Sequence, residues 1–447
     1  MAIKTDSRKI EKGDIFVALK EENGDGHDYI GDAIAKGAKQ IVAEYGLYSV
    51  DTLIVKDTKA YLINELDRLY HEAVANLTLI GITGTNGKTT SCFLLYQALR
   101  KASKKCAYIG TIGFYQEGKV RDLNNTTPDV LELYEMLVSC AEQGYEYVVM
   151  EVSSHALAKD RIGKLLYDYV VFTNLTKDHL DYHKTMEEYL QAKLKLFDHV
   201  KENGIRIVNQ DDAYAEAFLK EGALTYGMEK ADYQFQNVRM TLQKSIFELK
   251  KGNSIDEYET QLIGTYNLYN LVSIMVILDQ LQLLSPQLIA SLQEPKGRME
   301  KITYQDSIIV IDYAHTPDAV WNILKTMKEL EHHHIYTVLG CGGNRDKTKR
   351  PIMADIATKY SDYVIFTSDN PRNEDPEMIL EDMIRHLTCD NYEVDKNREN
   401  AIQKGIQRCQ KDDILLILGK GHETYQLIKG VKYDFDDCSV VRNYIRR

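Results

Sequence analysis

Short apolar runs and longer amphipathic segments alternate along most of the chain. The apolar runs are rich in Val, Ile and Leu and end in glycine or polar residues, which is typical of buried strands. The longer segments place apolar residues at helical spacing, as between Lys88 and Leu99. Because strands and helices alternate, the pattern predicts an α/β fold with mostly parallel sheets covered by helices on both faces.

The pattern divides the chain into three predicted domains. Residues 1–74 predict a small N-terminal α/β domain, residues 75–300 a central doubly wound sheet with a phosphate loop, and residues 301–447 a Rossmann-like domain. The expected strands are 14–19, 40–43, 52–55, 77–82, 147–152, 167–172, 308–312, 335–339, 363–366 and 414–418. The expected helices are 29–37 with Ile30, Ala33 and Ile34 on one face, one that begins near Lys88, 187–197, and one that begins near Gly264.

One strand ends in a glycine-rich turn that leads straight into a helix. Glycines there let backbone N–H groups approach phosphate oxygens, Lys88 reaches the outer phosphates, and the Thr89 hydroxyl binds Mg²⁺. The strict motif has a glycine where Ile82 stands, and the glycines fall instead at 81, 84 and 87. The turn predicts a nucleoside triphosphate site, and the alternative is a glycine-rich turn without a ligand. Its residues are Gly84, Thr85, Asn86, Gly87, Lys88, Thr89 and Thr90.

Polar residues follow two other strands of the predicted central sheet. Glu151 lies at the end of the run 147–152, and His179 lies in the polar segment after 167–172. Ligands of open α/β sheets bind at the carboxyl ends of strands, so both side chains are candidate Mg²⁺ or substrate ligands. The alternatives are a capping or ion-paired carboxylate for Glu151 and a structural histidine for His179.

Three other features are explained by ordinary structure when the residues are taken alone. Lys193 and Lys195 on the helix 187–197 are by default solvated surface charges. The run Asp6-Ser7-Arg8 predicts a turn.

The C-terminal domain is different, because four of its predicted strands end in polar clusters and such clusters at one sheet edge form a site. These clusters are 313–315, 340–346, 368–372 and 419–423.

Composition narrows the class of protein. A formal net charge of −12 argues against a nucleic-acid-binding protein, although local clusters still bind anionic substrates. The 7 cysteines are scattered and lack Cys-x-x-Cys pairing, which indicates reduced thiols and not a disulfide framework or a zinc site. The N-terminus lacks an apolar signal region, and no apolar run approaches the length of a membrane span. We therefore expect a soluble cytoplasmic protein.

Seven motif-like segments follow one another along the chain: Gly84–Thr90, Asn125–Pro128, Glu151–Leu157, Asp178–Asp181, Asp312–Asp318, Asp369–Arg372 and Gly419–Glu423. In this order they resemble the motifs of the Mur ligase family over nearly the whole chain. The resemblance implies an ATP-dependent amide ligase that acts on UDP-N-acetylmuramoyl-L-Ala-D-Glu (UDP-MurNAc-L-Ala-D-Glu) in cytoplasmic peptidoglycan precursor synthesis. ATP phosphorylates the free carboxylate, the incoming amine attacks the acyl phosphate, and phosphate leaves.

The resemblance also implies the catalytic residues and cofactors. Lys88, Glu151, His179 and Lys193 take the catalytic positions, and Mg²⁺ is held by Thr89, Glu151, His179 and Lys193. Lys193 does so as a carbamate, because added CO₂ converts the cation into an anionic metal ligand. The surface interpretation is thereby overturned for Lys193 and kept for Lys195. The implied partners are UDP-MurNAc-dipeptide, ATP and a diamino acid, and the chain is expected to act as a monomer without a membrane span.

The remaining site residues are implied in three groups. Lys159 stands where a relative carries glutamine, and the resemblance implies that Ser7 reaches the uridine end of the substrate. The UDP-MurNAc-dipeptide group is Ser7, Asn125, Thr126, Thr127, Ser153, Lys159 and Arg161. The ATP group adds Asn267, Arg298 and His315 to the phosphate loop. The amino-acid group is Arg345, Asp369, Asn370, Pro371, Arg372, Gly419 and Glu423.

Arg372 indicates which amino acid is added. Meso-diaminopimelate differs from L-lysine by a carboxylate at its far end, and a planar bidentate cation suits that group. We therefore expect meso-diaminopimelate, with L-lysine as the alternative. In another interpretation, Arg372 only forms an ion pair with Glu374 or Asp375.

Two remoter alternatives for the function are a folylpolyglutamate synthase-like ligase and a nucleotide-dependent switch. The switch is disfavoured because the chain lacks an Asn-Lys-x-Asp base-reading motif.

Overall fold

A computed structural model describes residues 2–21 and 24–446, apart from the side chain of Asp181. The chain folds into two compact units. The first comprises Met1–Gly81, Lys104–Asp168 and Lys195–Gly204. The second comprises Ile82–Ser103, Tyr169–Leu194 and Ile205–Arg447. The α/β class is confirmed, because helices and parallel strands alternate in both units. The predicted domain boundaries after residues 74 and 300 stay predictions.

The first 57 residues of the first unit build a four-stranded parallel sheet around a small core. Phe16 and Ile41 point into this core, and Ile30 and Ala33 cover it from the predicted helix face. In sheet order its strands are Ile3–Lys4, Ile15–Val17, Gln40–Ala43 and Asp51–Ile54. The other elements here are the hairpin Lys20–Glu21 with Gly24–Asp25, the 3₁₀ helices Ser7–Lys9 and Gly26–Tyr29, and the helix Ile30–Ala35.

The rest of the first unit contains a second group of strands and a long helix. The helix Thr58–Ala75 was not expected from the sequence; Asp57 caps it, and Leu62, Leu66 and Val74 are its buried face. The neighbouring strands are, in order, Lys119–Arg121, Gly113–Tyr115, Cys106–Gly110 and Tyr147–Glu151. The other helices are Val130–Glu142 and Ser154–Ala158.

Four elements begin in one unit and end in the other. The strands Thr78–Thr83 and Tyr167–Phe172 and the helix Met186–Asp198 were predicted within a residue or two of these bounds. The strand Val200–Asn209 was not predicted, because its first half is polar and half-exposed and only its last residues are apolar and buried.

The first part of the second unit holds the phosphate-loop helix Lys88–Lys101 and the buried helix Thr265–Gln280. The end of Val200–Asn209 pairs in parallel with Leu224–Gly227, which pairs in parallel with the next strand. An antiparallel meander follows, which the expectation of a mostly parallel sheet did not include. Its strands are Tyr233–Met240, Ser245–Lys251 and Ser254–Thr260. Short helices are Leu180–His183, Ala215–Phe218 and Pro286–Ala290.

The C-terminal part of the second unit is a six-stranded sheet with helices on both faces. Neighbouring strands align so that Asp312 pairs with Leu418 and Cys341 with Ser368, which puts the carboxyl ends of four parallel strands at one edge, as predicted. The strand order is Glu300–Tyr304, Ser307–Asp312, Ile414–Leu418, Ile335–Cys341, Tyr363–Ser368 and Tyr392–Val394, with only the first strand antiparallel to its neighbour.

Two apolar layers cover this sheet. Val310 and Leu416 face one layer, whereas Ile309, Leu415 and Ile417 face the other, as alternation along a strand requires. The helices on the first face are Pro317–Glu329, Lys349–Tyr360 and Pro376–Ile384; those on the second are Arg398–Arg408 and Asp437–Ile445. A hairpin of Tyr425–Ile428 and Val431–Asp434 completes the unit. Across the described residues, no helix is both long enough and apolar enough to span a bilayer.

Candidate functional site

The phosphate loop is shaped by two glycines. Gly87 precedes the helix with a φ of 89°, a conformation that other residues rarely adopt. A Cβ atom on Gly87 would lie 2.2 Å from Asn270 Oδ1, and one on Gly84 would lie 1.8 Å from Thr173 Oγ1. The neighbouring chain therefore packs against the loop so closely that only glycine fits at either position.

Side chains distant in sequence hold this loop. The backbone N–H of Asn86 donates to Asn174 Oδ1 at 2.9 Å, and the Thr173 hydroxyl donates to the Asn86 carbonyl at 2.7 Å. The Asn86 amide also donates to Asp318 Oδ2 at 2.9 Å. Sequence reasoning did not assign these three partners, although each follows the end of a predicted strand. The loop thus keeps its shape through contacts made by the protein alone.

Two lysines meet at one carbonyl of the loop. Lys88 Nζ donates to the carbonyls of Gly84 and Thr85, both at 2.8 Å, and Lys193 Nζ donates to the same Gly84 carbonyl at 2.7 Å. Lys193 is 1% exposed and lies 4.4 Å from the centre of the Tyr189 ring. Burial, with the Lys88 ammonium nearby, lowers the pKa of Lys193 well below its usual range. The default of a solvated lysine is therefore wrong for Lys193.

The other predicted metal ligands are divided between the units. In the second unit, Thr89 is buried, and His179 begins the helix Leu180–His183 with its side chain 44% exposed. Its Nε2 lies 3.5 Å from Asp178 Oδ2. Glu151 belongs to the first unit, and the structure places it at the end of the strand Tyr147–Glu151 as predicted.

A cavity of about 470 Å³ opens beside the phosphate loop in the second unit. This volume lies within the range of small-molecule and cofactor sites. Six of the residues predicted to bind ATP line it: Asn86, Gly87, Thr90, Asn267, Arg298 and His315. Sequence reasoning missed several other lining residues, among them Asn174, Asp211, Tyr269, Asn270 and Asp318.

Arg298 presents an unused donor in this cavity region. Its guanidinium lies 4.5 Å from the centre of the Tyr313 ring, and one of its NH₂ groups donates to the Thr89 hydroxyl at 3.4 Å. Its Nε is buried and has no hydrogen-bond partner among the described residues. A buried unpaired donor is costly, so this geometry favours an anionic or polar ligand at the site.

His315 provides a pH test of the same cavity. Its Nδ1 lies 2.9 Å from the Tyr313 carbonyl, and burial, together with the Lys349 ammonium, lowers its pKa from 6.5 to about 4. Between these values the unfolded chain binds more protons at this residue than the folded one does, so stability falls as the pH falls from 6.5 to 4. We expect His315→Gln to lose less melting temperature than the wild type over this range.

The measurement for His315 is thermal unfolding at several pH values between 4 and 7. The exposed His386, in the turn that follows the helix Pro376–Ile384, gives the matched control variant His386→Gln, which should follow the wild type. Equal pH slopes for His315→Gln and the wild type would show that the imidazole is not held neutral by its surroundings.

In the first unit, Glu151 anchors a cluster of hydroxyl groups. Its carboxylate accepts hydrogen bonds from the Tyr108 hydroxyl at 2.5 Å, from the Thr111 N–H at 2.8 Å and from the Thr111 hydroxyl at 3.1 Å. The Thr111 hydroxyl also lies 3.1 Å from that of Thr126. Glu151 is fully buried, so these partners fix its orientation. These three contacts are hydrogen bonds from hydroxyl and backbone N–H groups.

Thr127, Ser153 and Arg161 come together beside this cluster, as the predicted substrate group requires. The Thr127 hydroxyl donates to the Glu151 carbonyl at 2.9 Å and accepts from the Ser153 N–H at 3.0 Å. Arg161 donates to the Thr127 carbonyl at 3.3 Å and pairs with Asp129 at 2.9 Å. Asn125 and Lys159 are half-buried, and Ser7 is buried in the 3₁₀ helix Ser7–Lys9 that Asp6 caps, which agrees with the predicted turn.

At the C-terminal sheet edge, polar groups from two strand ends form one network. Asn370 donates to Glu423 Oε2 at 2.6 Å, and the buried Lys420 ammonium donates to the same oxygen at 3.2 Å and to Asn370 Oδ1 at 3.4 Å. A Cβ atom on Gly419 would lie 2.7 Å from Asp369 Oδ2. Lys420 was not among the predicted site residues, although it lies inside the motif that contains Gly419 and Glu423.

Arg372 reaches across to the neighbouring loop. Its guanidinium donates to the Gly343 carbonyl at 2.8 Å, and a Cβ atom on Gly343 would lie 2.0 Å from the Pro371 carbonyl oxygen. Glu374 does not pair with Arg372; its carboxylate binds Arg350 at 3.0 Å, which holds the pKa of Glu374 at about 2. The alternative of a simple pair with Glu374 is therefore wrong. Arg345 is exposed in the same loop as Gly343.

Comparison with known protein families agrees with this arrangement of loops and strand ends. The Mur ligase family, catalytic domain, matches residues 2–65. The Mur ligase middle domain matches residues 82–278, and the Mur ligase, glutamate ligase domain, matches residues 297–421. Together with the full-length relatives below, these matches establish that the chain belongs to the Mur ligase family.

Individual relatives extend over nearly the whole chain. A UDP-N-acetylmuramoyl-L-alanyl-D-glutamate–2,6-diaminopimelate ligase from Bacillus cereus is 41% identical, over 99% of this chain and 94% of the relative. A solved structure of a ligase with the same name is 34% identical, has a TM-score of 0.72, and is matched over 100% of this chain and 94% of that one. The MurF ligase of Thermotoga maritima in complex with ADP shares the fold, with a TM-score of 0.68 at 21% identity and 93% of each chain covered.

Proposed function

We propose that the protein is an ATP-dependent ligase that adds meso-diaminopimelate to UDP-MurNAc-L-Ala-D-Glu in cytoplasmic peptidoglycan precursor synthesis. The observation that carries this proposal is the full-length similarity to ligases named for that reaction, at 41% identity for the relative from Bacillus cereus. The reaction needs sites for ATP, for the carboxylate substrate and for the amino acid. Three groups of residues described above suit these needs: the phosphate loop, the hydroxyl-rich cluster around Glu151 and the loop that carries Arg372. The chain works as a monomer, which size-exclusion chromatography with light scattering tests.

ATP is the proposed occupant of the cavity beside the phosphate loop. The ADP complex of a Mur ligase with the same fold supports this assignment. The phosphate-loop amides bind phosphate oxygens, Lys88 moves from the Gly84 and Thr85 carbonyls to the outer phosphates, and Arg298 turns its unpaired Nε toward the ligand. These cations neutralise the charge that develops while the phosphoryl group passes to the substrate carboxylate.

Mg²⁺ and a lysine carbamate are further parts of the proposal. Thr89 and Glu151 supply oxygen donors of the kind that Mg²⁺ prefers, His179 adds an imidazole nitrogen, and bound Mg²⁺ would supply charge neutralisation of the phosphates. The surroundings of Lys193 fit a carbamate, because CO₂ reacts with a neutral amine and burial lowers the pKa of this one. The buried carbamate would be an anionic ligand in place of the cation that now contacts the Gly84 carbonyl.

The carboxylate substrate is assigned to the first unit. Arg161 and the hydroxyls of Thr126, Thr127 and Ser153 bind the muramoyl-dipeptide, with Asn125 and Lys159 beside them. Their clustering by direct hydrogen bonds around Thr127 supports this assignment. Ser7 is assigned to the uridine end. The phosphorylated carboxylate of D-Glu is then attacked by the amine, and phosphate leaves.

The amino acid is assigned to the C-terminal sheet edge. Arg372 and Arg345 bind the far carboxylate, and Asp369, Asn370, Gly419 and Glu423 hold its amino and carboxyl groups. L-lysine lacks that carboxylate, so a site with two arginines in facing loops favours meso-diaminopimelate. Pro371 belongs to the same amino-acid site, where it fixes the backbone between Asn370 and Arg372.

Arg372→Ala tests this specificity. We expect the KM for meso-diaminopimelate to rise at least about tenfold, because the charged carboxylate loses its bidentate partner. The KM for ATP should stay within about twofold of the wild-type value, since Arg372 is not assigned to the nucleotide. Arg385→Ala is the matched control. Arg385 is an exposed arginine at the end of the helix Pro376–Ile384, and among the described carboxylates it pairs only with Asp382. An unchanged KM for meso-diaminopimelate in Arg372→Ala contradicts the assignment.

The decisive experiment is a ligation assay with purified protein, ATP, UDP-MurNAc-L-Ala-D-Glu and a panel of amino acids. Phosphate release and product mass are measured together, so that uncoupled ATP hydrolysis is recognised. Ligation of meso-diaminopimelate far faster than L-lysine supports the proposal. The reverse preference makes the enzyme a lysine-adding ligase of the same family, and glutamate transfer to folate makes it a folylpolyglutamate synthase-like enzyme.

A further inference from the structure

Two loops at the C-terminal sheet edge carry the two arginines assigned to the amino acid. The first loop follows the strand Ile335–Cys341 and contains Arg345, and the second follows Tyr363–Ser368 and contains Arg372. Direct contacts join them: Gly343 N–H donates to the Asn370 carbonyl at 2.9 Å, and Arg372 donates to the Gly343 carbonyl at 2.8 Å. The separation of the two arginines therefore depends on what holds these loops together.

Arg350 lies behind this junction and is 1% exposed. Its guanidinium donates to the Gly342 carbonyl of the first loop at 3.3 Å and to Glu374 Oε1 of the second at 3.0 Å. A third bond runs to Asp382 on the helix Pro376–Ile384 at 2.9 Å. One planar side chain thus bridges both loops and the helix that follows them, which the fixed fork of arginine allows and a lysine does not.

Glu374 links Arg350 to the backbone of the first loop. Its carboxylate, held by Arg350, also accepts a hydrogen bond from the Asn344 N–H, one residue before Arg345. The Asn344 side chain in turn accepts from the Asn373 N–H at 3.0 Å, one residue after Arg372. Both loops adopt left-handed backbone at these points, with φ of 50° at Asn344 and 53° at Arg372. Such conformations persist only where surrounding contacts hold them.

We propose that Arg350 is a positioning residue for the amino-acid site, which sets the distance between Arg345 and Arg372 and so the preference for an amino acid with two carboxylates. The inference rests on the proposed function, because it takes both arginines as carboxylate ligands. Arg350 does not touch substrate. It acts through Glu374 and the Gly342 carbonyl, and none of its contacts reaches the nucleotide cavity.

Arg350→Lys in the full-length protein tests the proposal, since lysine keeps the charge and loses the fork. We expect the KM for meso-diaminopimelate to rise about tenfold or more, while the KM values for ATP and for UDP-MurNAc-L-Ala-D-Glu stay within about twofold. The ratio of kcat/KM for meso-diaminopimelate to that for L-lysine should fall, because L-lysine does not use the second carboxylate contact. A wild-type KM for meso-diaminopimelate overturns the proposal.

Asp382→Asn is the matched control, because it weakens the third contact of Arg350 without touching either loop. If it lowers the melting temperature as much as Arg350→Lys but leaves the KM for meso-diaminopimelate unchanged, positioning is separated from stability. Parallel loss of kcat for all substrates in Arg350→Lys shows a merely structural role and overturns the proposal. Should that variant fail to fold, Glu374→Gln gives the same readout, with the same expected rise in KM and the same contrary result.

The wild-type assay keeps the inference distinct from the proposed function. If the wild type does not ligate meso-diaminopimelate, the proposed function fails before any variant is compared. If it does, and Arg350→Lys ligates it with the same KM, the proposed function stands and the positioning role is withdrawn.

Discussion

Lys88→Ala is expected to lower kcat at least about a hundredfold, while the protein still folds. The Lys88 ammonium binds the carbonyls of Gly84 and Thr85, and no other lysine of the phosphate loop is available to replace it beside the transferring phosphoryl group. Steady-state phosphate release and product formation measure the loss. Thermal unfolding measures the fold, and we expect little change, because Lys88 is half-buried and its hydrogen bonds to Gly84 and Thr85 are made to backbone oxygens.

Lys101→Ala is the control for this variant, since Lys101 is an exposed lysine at the other end of the same helix. Its kcat should equal that of the wild type. Near-native turnover in Lys88→Ala would contradict the assignment of this loop to the triphosphate. A loss of kcat together with a large loss of melting temperature would indicate that Lys88 serves the fold of the loop instead.

Lys193→Ala is expected to lose most activity, with kcat falling about a hundredfold. The reason is the loss of the proposed carbamate, which supplies a negative charge where an unmodified lysine supplies none. The variant also removes the buried hydrogen bond to the Gly84 carbonyl, so its melting temperature is measured beside its activity. Activity is measured with and without short carboxylates such as acetate, which should restore part of it by taking the place of the carbamate.

Lys195→Ala is the control for Lys193→Ala. Lys195 lies two residues further along the same helix, but its side chain is 48% exposed. A ¹³C nuclear magnetic resonance spectrum with labelled bicarbonate gives a readout that does not depend on turnover: a carbamate signal in the wild type and in Lys195→Ala, and its loss in Lys193→Ala. Full activity in Lys193→Ala would return this lysine to a purely structural role.

Local sequence pattern was sufficient for the elements that carry the chemistry. The strand Thr78–Thr83, the helix that begins at Lys88 and the strand Ile414–Leu418 lie where apolar runs and glycines predicted them, because burial on both faces leaves a continuous apolar run. The sheet edge of the C-terminal part followed from the same logic, since parallel strands bring their carboxyl ends together.

Other elements were missed for two physical reasons. The meander from Tyr233 to Thr260 alternates buried Phe235, Phe247 and Tyr258 with polar residues, which is a weaker signal than a continuous apolar run. Contacts such as Asn86 with Asp318 join residues 232 apart and depend on how the chain folds back, which spacing along the sequence does not specify. Arg350 was missed because a charged residue in a helix is read as exposed unless its partners are known.

In the C-terminal sheet, the residues assigned to the amino acid are different from the residues that form the apolar core. Its two apolar layers consist mainly of strand and helix residues, whereas Arg345, Arg372, Gly419 and Glu423 all lie in segments that follow strand ends. Substitutions in those segments leave both layers unchanged. A lineage, or a laboratory library confined to residues 342–347 and 369–375, can therefore explore new amino acids without first acquiring compensating changes in the core, provided that Gly343, Arg350 and Glu374 are kept.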